Sequence, residues 1–121
     1  MKGWEIAQKL SQFGSDVYKS LFSIVSIDQI PSEIPEHQFI ISNLSTSQDL
    51  EGSHWIVLSN QGVPNIEVFD PLGLRRNKKL FNRFLPFKSI DINNFAVQES
   101  SSSSCSEFCI FYICNRFYNG M

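Results

Sequence analysis

The amino-acid sequence predicts a single α+β domain that spans residues 1–121. Three observations favour this class. The length is close to the commonest size of one domain, and the composition, 42% hydrophobic and 18% charged, is that of an ordinary globular protein. A helix-like segment, several strand-like runs and a late, strongly apolar helix then follow one another without an internal repeat. We expect one core built from a small sheet and helices.

The clearest strand signals lie in the middle of the chain. Trp55–Leu58 is a continuous apolar run, which is typical of a strand buried on both faces. Turn-forming residues at 60–65 separate it from Ile66–Phe69, and a connection this short joins antiparallel neighbours. Gln38–Leu44 predicts a further strand, and residues 90–98 predict one or two more. The sequence therefore predicts a small central sheet that is mixed or antiparallel.

Helical periodicity appears near both ends. From Trp4 to Phe13, apolar residues recur every two to four positions, which predicts a short amphipathic helix that stops at Gly14. A second short helix is expected near residues 80–85, before Pro86. The segment Cys105–Phe117 is apolar on most sides of a helix, and such a helix is expected to be buried.

The three cysteines, Cys105, Cys109 and Cys114, all fall in the last seventeen residues. A disulfide framework would use an even number of cysteines spread along the chain. A structural zinc site would show paired cysteine and histidine spacings, whereas Cys105-x3-Cys109-x4-Cys114 has no histidine nearby in the sequence. We therefore expect reduced thiols, no metal and no cofactor.

Cys105 is the candidate nucleophile. Ser104 and Glu107 form a capping-box pattern, which places Cys105 at the first position of the last helix. The partial positive charge and the free N–H groups of a helix N-terminus stabilise a thiolate. Cys109 and Cys114 fall inside the same helix, where we expect them to act as small buried hydrophobes.

A thiol nucleophile needs an oriented base, and the chain contains two histidines. His37 lies in a loop between prolines and acids, which indicates a surface position. His54 precedes the strand Trp55–Leu58, while Asp70 ends the adjacent strand and precedes Pro71. An antiparallel hairpin brings these two ends together, so the sequence predicts that His54 is the base and Asp70 its orienting acid.

These residues, in this order, resemble the adenovirus maturation proteases, with related enzymes in other double-stranded DNA viruses and in Polinton-type elements, and with SUMO-specific proteases as distant relatives. Residues 53–112 carry the resemblance, and residues 1–50 match only in outline. Four motifs support it: His54-Trp55, Phe69-Asp70-Pro71-Leu72-Gly73, Gln98 seven residues before the cysteine, and Cys105-x-x-Phe108-Cys109.

The resemblance implies a papain-like cysteine peptidase of permuted order that cleaves next to glycine and matures viral or mobile-element capsid or core precursors. It implies that Gln98, with the Cys105 N–H, holds the oxyanion. Trp55 would wall the channel that admits the substrate backbone. Protein substrates are the implied partners, and an activating peptide or a nucleic acid is a further one.

Two alternatives remain open at this stage. The first is a SUMO-type or ubiquitin-like deconjugating protease with the same chemistry. The second is an inactive relative that acts as a binding or assembly protein, which Ser106 favours because the family usually has glycine after the nucleophile. The N-terminus lacks the pattern of a signal peptide, and no apolar run is long enough to span a membrane. We therefore expect an intracellular protein, in host cytoplasm or nucleus and in the virion, that is not secreted and binds no membrane.

Overall fold

The computed structural model describes residues 2–44, 54–62, 64–71, 73, 81, 83, 85–87, 89–93 and 105–119. Its helices and strands are α1 (Gly3–Ser11), α2 (Ser15–Lys19), β1 (Leu21–Ser26), β2 (Phe39–Asn43), β3 (Trp55–Ser59), β4 (Ile66–Phe69), β5 (Ile90–Ile92) and α3 (Cys105–Asn119). A short 3-10 turn, Ile27–Gln29, follows β1. The predicted α+β class is confirmed.

The five strands form one mixed sheet in the order β1-β2-β3-β4-β5. β3 lies at its centre and pairs antiparallel with both β2 and β4. The two outer pairs, β1 with β2 and β4 with β5, are parallel. The central hairpin has the predicted form, with Val57 opposite Phe69 and Leu58 opposite Val68. This register decides which side chains meet at the open end of the hairpin.

Both faces of the sheet are covered by apolar side chains, which explains the continuous apolar run of β3. Successive side chains of a strand point to opposite faces. Trp55 and Val57 therefore belong to the core that includes α1 and α3, whereas Ile56 and Leu58 belong to the core on the other face. The second core also contains Phe81, which is helical and fully buried. The remaining residues of the helix expected before Pro86 lie largely outside the described part of the chain.

The last helix corrects one expectation, because α3 is buried on one side and not on most sides. Cys109 and Ile113 are fully buried against the sheet, whereas Phe111 is 76% exposed. The buried side of α3 packs against β3, α1 and α2, whereas Phe111 and Tyr118 on its other side are exposed. The aromatic residues of that face line an open groove of about 670 Å³.

A polar clamp fixes α3 on the sheet. The guanidinium of Arg116 donates two hydrogen bonds to the Glu67 carboxylate on β4, at 2.9 and 2.6 Å. Tyr112 donates its hydroxyl to the same carboxylate, and its ring stacks on Phe69 with 4.6 Å between the ring centroids. Paired, hydrogen-bonded charges of this kind make a specific contact. The clamp joins the helix that begins at Cys105 to the strand that precedes Asp70.

The break between α1 and α2 falls at Gly14, as predicted. Its φ of +141° is unfavourable for residues that carry a Cβ. A Cβ there would also lie 2.8 Å from the hydroxyl of Tyr118, which donates a hydrogen bond to the Phe13 carbonyl. The N-terminal helices are thereby tied to the end of α3. In the part of the chain that the structure describes, no helix combines the length and apolar character needed to cross a membrane.

Candidate active site

The hairpin brings His54 and Asp70 together at its open end. His54 Nε2 lies 2.6 Å from Asp70 Oδ1. Extending the register places Asp70 opposite Ile56. The side chains of His54 and Asp70 are therefore diagonal neighbours across the strand pair. The backbone of His54 is held by β2, because the Leu44 N–H donates to the His54 carbonyl at 2.9 Å. Asp70 is fully buried, and an ionised carboxylate at such a position requires a partner.

A tight turn begins at Asp70 and constrains its backbone. The Gly73 N–H donates to the Asp70 carbonyl at 2.9 Å, which closes the four-residue turn that begins at Asp70. Asp at the first position of a turn, Pro at the second and Gly at the fourth are the residues that type I turns prefer. The motif Asp70-Pro71-x-Gly73 therefore has a local structural reason as well as a place in the site.

Asn93 is a site residue that sequence reasoning missed. Its Nδ2 donates to the Asp70 carbonyl at 2.6 Å, and its Oδ1 accepts from the Asp70 N–H at 2.7 Å. Asn93 directly follows β5, and the only signal for it in the sequence is an asparagine at the end of a short strand. Its role depends on β5 lying beside β4, which the sequence does not reveal.

Cys105 begins α3 and faces the same imidazole. The His54 ring acts on the pKa of the Cys105 thiol, and the thiol on that of the ring, through hydrogen bonding and charge. Because Nε2 is engaged by Asp70, Nδ1 is the ring nitrogen available to the thiol. The structure thus assembles a cysteine, a histidine and a carboxylate in series. Cys105 is 6% exposed and His54 is 7% exposed.

The electrostatics of this series favour the ion pair. Burial opposes the charge on His54, but hydrogen bonds and negative charge from Asp70 and Cys105 outweigh it and raise the pKa of His54 to about 9. Burial likewise opposes the thiolate. Hydrogen bonds from His54 and from the Trp55 N–H, the charge of His54 and the Ser106 N–H nevertheless lower the pKa of Cys105.

The other two cysteines lie in different surroundings. Cys109 is fully buried and its thiol donates to the Trp55 carbonyl at 3.3 Å. Burial, with the nearby charges of Cys105 and Asp70, raises the pKa of Cys109 well above its ordinary value. Burial also raises the pKa of Cys114. Of the three thiols, Cys105 alone has surroundings that favour the reactive thiolate.

Trp55 contributes through its backbone and through its ring. Its N–H and its carbonyl interact with Cys105 and Cys109, respectively, so the start of β3 is docked on the start of α3. Its side chain is 7% exposed and packs in the core, where a methyl group at Gly3 would lie 3.8 Å from the ring. These contacts give Trp55 a packing role, and its expected part in a substrate channel stays a prediction.

The remaining residues predicted for the site or its surroundings are Gln98, Ser104, Ser106 and His37. Gln98 and Ser104 lie outside the described residues, so the oxyanion donor and the side-chain cap of α3 stay predictions. Ser106 is 3% exposed, so a serine is accommodated directly after Cys105. His37 is exposed in a loop, as expected, with its Nε2 3.3 Å from Glu36 Oε1.

Within the described ranges, no three His, Cys, Asp or Glu side chains are grouped so that they could hold a metal ion. No protein-family model matches this sequence, and no curated protein matches it either. The chemistry assigned to the site therefore rests on its geometry and on the motifs within it.

Proposed function

We propose that the protein is a cysteine endopeptidase with Cys105 as nucleophile, His54 as general base and acid, and Asp70 as the orienting carboxylate. One observation carries the proposal above all. A fully buried Asp70 lies 2.6 Å from His54 Nε2, and the same ring lowers the pKa of the Cys105 thiol at the start of a helix. A nucleophile, a base and an orienting acid in series are the parts that covalent acyl transfer requires.

The first half of the reaction would form an acyl-enzyme. The Cys105 thiolate attacks the peptide carbonyl carbon, forming the C–S bond, and the negative charge moves to the carbonyl oxygen. When the tetrahedral species collapses, the C–N bond breaks and His54 Nδ1 gives its proton to the leaving amine. A thioester and a free amine result. Asp70 keeps the proton on Nε2, so Nδ1 is the nitrogen that exchanges protons with the substrate.

The second half would restore the enzyme. Neutral His54 takes a proton from a water molecule, whose oxygen attacks the thioester carbon. The C–S bond then breaks, the carboxylic acid product leaves, and the thiolate–imidazolium pair forms again. The pKa values of both groups are shifted in the direction that favours this pair at neutral pH.

The resemblance to adenovirus maturation proteases supports a narrower proposal. The fold would be papain-like with permuted order, the substrate would be cleaved next to glycine, and its biological targets would be viral or mobile-element capsid or core precursors. Support comes from the order His54, Asp70, Cys105 along the chain and from the packing of α3 against β3. Gln98 and the Cys105 N–H would hold the oxyanion. A SUMO-type deconjugating protease would use the same residues on a different substrate.

A binding protein without catalytic activity is the candidate from another class, and Ser106 is the observation that favours it. The Ser106 N–H contributes to lowering the pKa of Cys105, so the serine does not remove thiolate stabilisation. This contact favours an active enzyme over an inactive binding protein.

A panel of quenched fluorescent peptides with and without glycine pairs would test the proposal. Wild-type protein should cleave glycine-containing peptides, Cys105→Ala should not, and Cys109→Ala serves as the matched cysteine control that keeps activity. In parallel, a peptide aldehyde or vinyl sulfone should modify Cys105, as read by intact mass and peptide mapping. If Cys105→Ala cleaves as well as wild type, or if the electrophile modifies Cys109 and Cys114 as readily as Cys105, the proposal is wrong.

A further inference from the structure

We infer that Asn93 is a positioning residue, which fixes the backbone of Asp70 and thereby holds the carboxylate against His54. The inference rests on the proposed function, since it assigns a role within the same site. Asn93 itself acts through Asp70 and is not assigned to the reacting atoms.

The contact between the two residues is reciprocal. Asn93 Oδ1 accepts from the Asp70 N–H at 2.7 Å, and Asn93 Nδ2 donates to the Asp70 carbonyl at 2.6 Å. A side-chain amide has one carbonyl and one N–H₂ group, so it offers what a peptide group offers. β4 and β5 pair in parallel as far as Val68 and Ile92. The side-chain amide of Asn93 thus continues the hydrogen bonding between β4 and β5 beyond their last backbone pair.

This contact acts where the strand pairing ends. β3 and β4 pair as far as Val57 and Phe69, so Asp70 is the first residue beyond the paired register. Its carbonyl accepts from Gly73 as well as from Asn93, and its N–H donates to Asn93. Asn93 therefore holds both backbone polar groups of Asp70 from the side that faces β5.

The carboxylate of Asp70 depends on this placement. Its hydrogen bond to His54 is 2.6 Å long, and because Asp70 is fully buried, a carboxylate that lost this partner would be costly to leave unpaired. A misplacement of about 1 Å at a catalytic group can cost on the order of 10²-fold in rate. Freeing the Asp70 backbone should therefore hold the imidazole less firmly, and the Cys105 thiolate should become less stable as a result.

Asn65 provides a matched control on the same pair of strands. Its Nδ2 lies 3.2 Å from each carboxylate oxygen of Asp91, so it links the start of β4 to β5 as Asn93 links the end of β4 to β5. Asn65 sits at the opposite end of β4 from Asp70. If Asn93 only ties the strands together, Asn93→Ala and Asn65→Ala should behave alike. A positioning role predicts that Asn93→Ala changes the reactivity of the Cys105 thiol and that Asn65→Ala does not.

The test measures the alkylation rate of Cys105 by iodoacetamide as a function of pH, on the full chain, with thermal denaturation of each variant. The titratable groups around the thiol are His54 beside β3, Asp70 after β4 and Cys109 within α3. Asn93→Ala should slow alkylation near pH 6 by about tenfold, because weakening the His54–Asp70 hydrogen bond raises the pKa of Cys105 and so leaves less of the reactive thiolate. Asn65→Ala should stay within about twofold of wild type, because the half-buried Asn65 lies at the far end of β4 from the thiol.

A second variant keeps the inference testable when the first does not fold. Asn93→Asp keeps the acceptor for the Asp70 N–H and loses the donor to its carbonyl, so it should also slow alkylation near pH 6. A folded Asn93→Ala with a wild-type profile would overturn the inference, and so would equal slowing in Asn65→Ala. If both Asn93 variants unfold while Asn65→Ala folds, Asn93 is structural and the inference is wrong. A wild type with an ordinary thiol profile would instead overturn the proposed function itself, and the inference with it.

Discussion

Both histidines of this protein lie within ion-pair distance of a carboxylate, yet their surroundings differ sharply. In His37–Glu36 the atoms are 3.3 Å apart and the two side chains are 55% and 64% exposed. In His54–Asp70 they are 2.6 Å apart and the side chains are 9% and 0% exposed. Only the second pair is next to a thiol at a helix N-terminus. A His–carboxylate contact becomes a candidate catalytic pair when burial and a third group constrain it.

Backbone context explains the contrast. His37 and Glu36 are neighbours in one loop, so their contact constrains nothing beyond that loop, and water screens it. His54 and Asp70 come from two strands and are held by β2, by the turn to Gly73 and by Asn93. The imidazole therefore has a defined position between a carboxylate and a thiol.

Removing each imidazole should give the largest difference between the two pairs. His54→Ala should lower kcat for a cleaved peptide by up to about 10⁶-fold, the cost of losing the base of a catalytic triad. His37→Ala should leave kcat within about twofold, because an exposed side chain away from the site contributes little. Steady-state kinetics on both purified variants, with circular dichroism to verify folding, would decide the point. Comparable losses of kcat in the two variants would show that His54 has no role that His37 lacks.

Neutralising each carboxylate should give the next largest difference. Asp70→Asn keeps the size of the side chain but favours the wrong imidazole tautomer, so kcat should fall by up to about 10⁴-fold. Loss of the Asp70 charge should also lower the pKa of His54, so the high-pH limb of the kcat/KM profile should move to lower pH. Glu36→Gln is the matched surface change, and it should alter neither kcat nor the profile. Full activity in Asp70→Asn would remove Asp70 from the mechanism.

A Gln98 variant should separate thiolate formation from stabilisation of the oxyanion. Gln98→Ala should lower kcat by about 10²–10³-fold with little change in KM, because an oxyanion donor acts on charge that develops only in the transition state. Alkylation of Cys105 should continue at the wild-type rate, since it depends on His54 and the helix N-terminus. Retention of more than about half of the wild-type kcat would show that the oxyanion donor lies elsewhere.

The smallest expected effect concerns Cys109, one helical turn from the candidate nucleophile Cys105. Cys109→Ala removes a buried sulfur and its hydrogen bond to the Trp55 carbonyl, so it should lower the free energy of unfolding by about 1 kcal/mol. Activity should remain, because the Cys109 thiol donates to the Trp55 carbonyl and its pKa is raised well above the ordinary value by burial. Urea denaturation beside peptide turnover would measure both. A folded but inactive Cys109→Ala would mean that the two cysteines had been assigned the wrong way round.

The sequence predicts the His54–Asp70 contact because its geometry is short-range. Two apolar runs joined by a short turn imply an antiparallel hairpin, and the hairpin brings His54 to Asp70. Asn93 could not be predicted in the same way. Its contact depends on the parallel pairing of β4 with β5, whose strands are joined by a long connection, and no local pattern specifies that register. The exposed side of α3 was missed for a related reason, since an apolar helix sequence does not reveal how many neighbours cover it.

Direct titration of the thiolate tests the central claim, that Cys105 and His54 form an ion pair held by Asp70. The ultraviolet absorbance of the thiolate would be followed against pH in wild type, Cys105→Ala and Asp70→Asn. Wild type should show a thiolate below the ordinary range of free cysteine, about pH 8.5. That signal should vanish in Cys105→Ala and move to higher pH in Asp70→Asn. A wild type whose thiolate appears only in the ordinary range, unchanged by Asp70→Asn, would contradict the account.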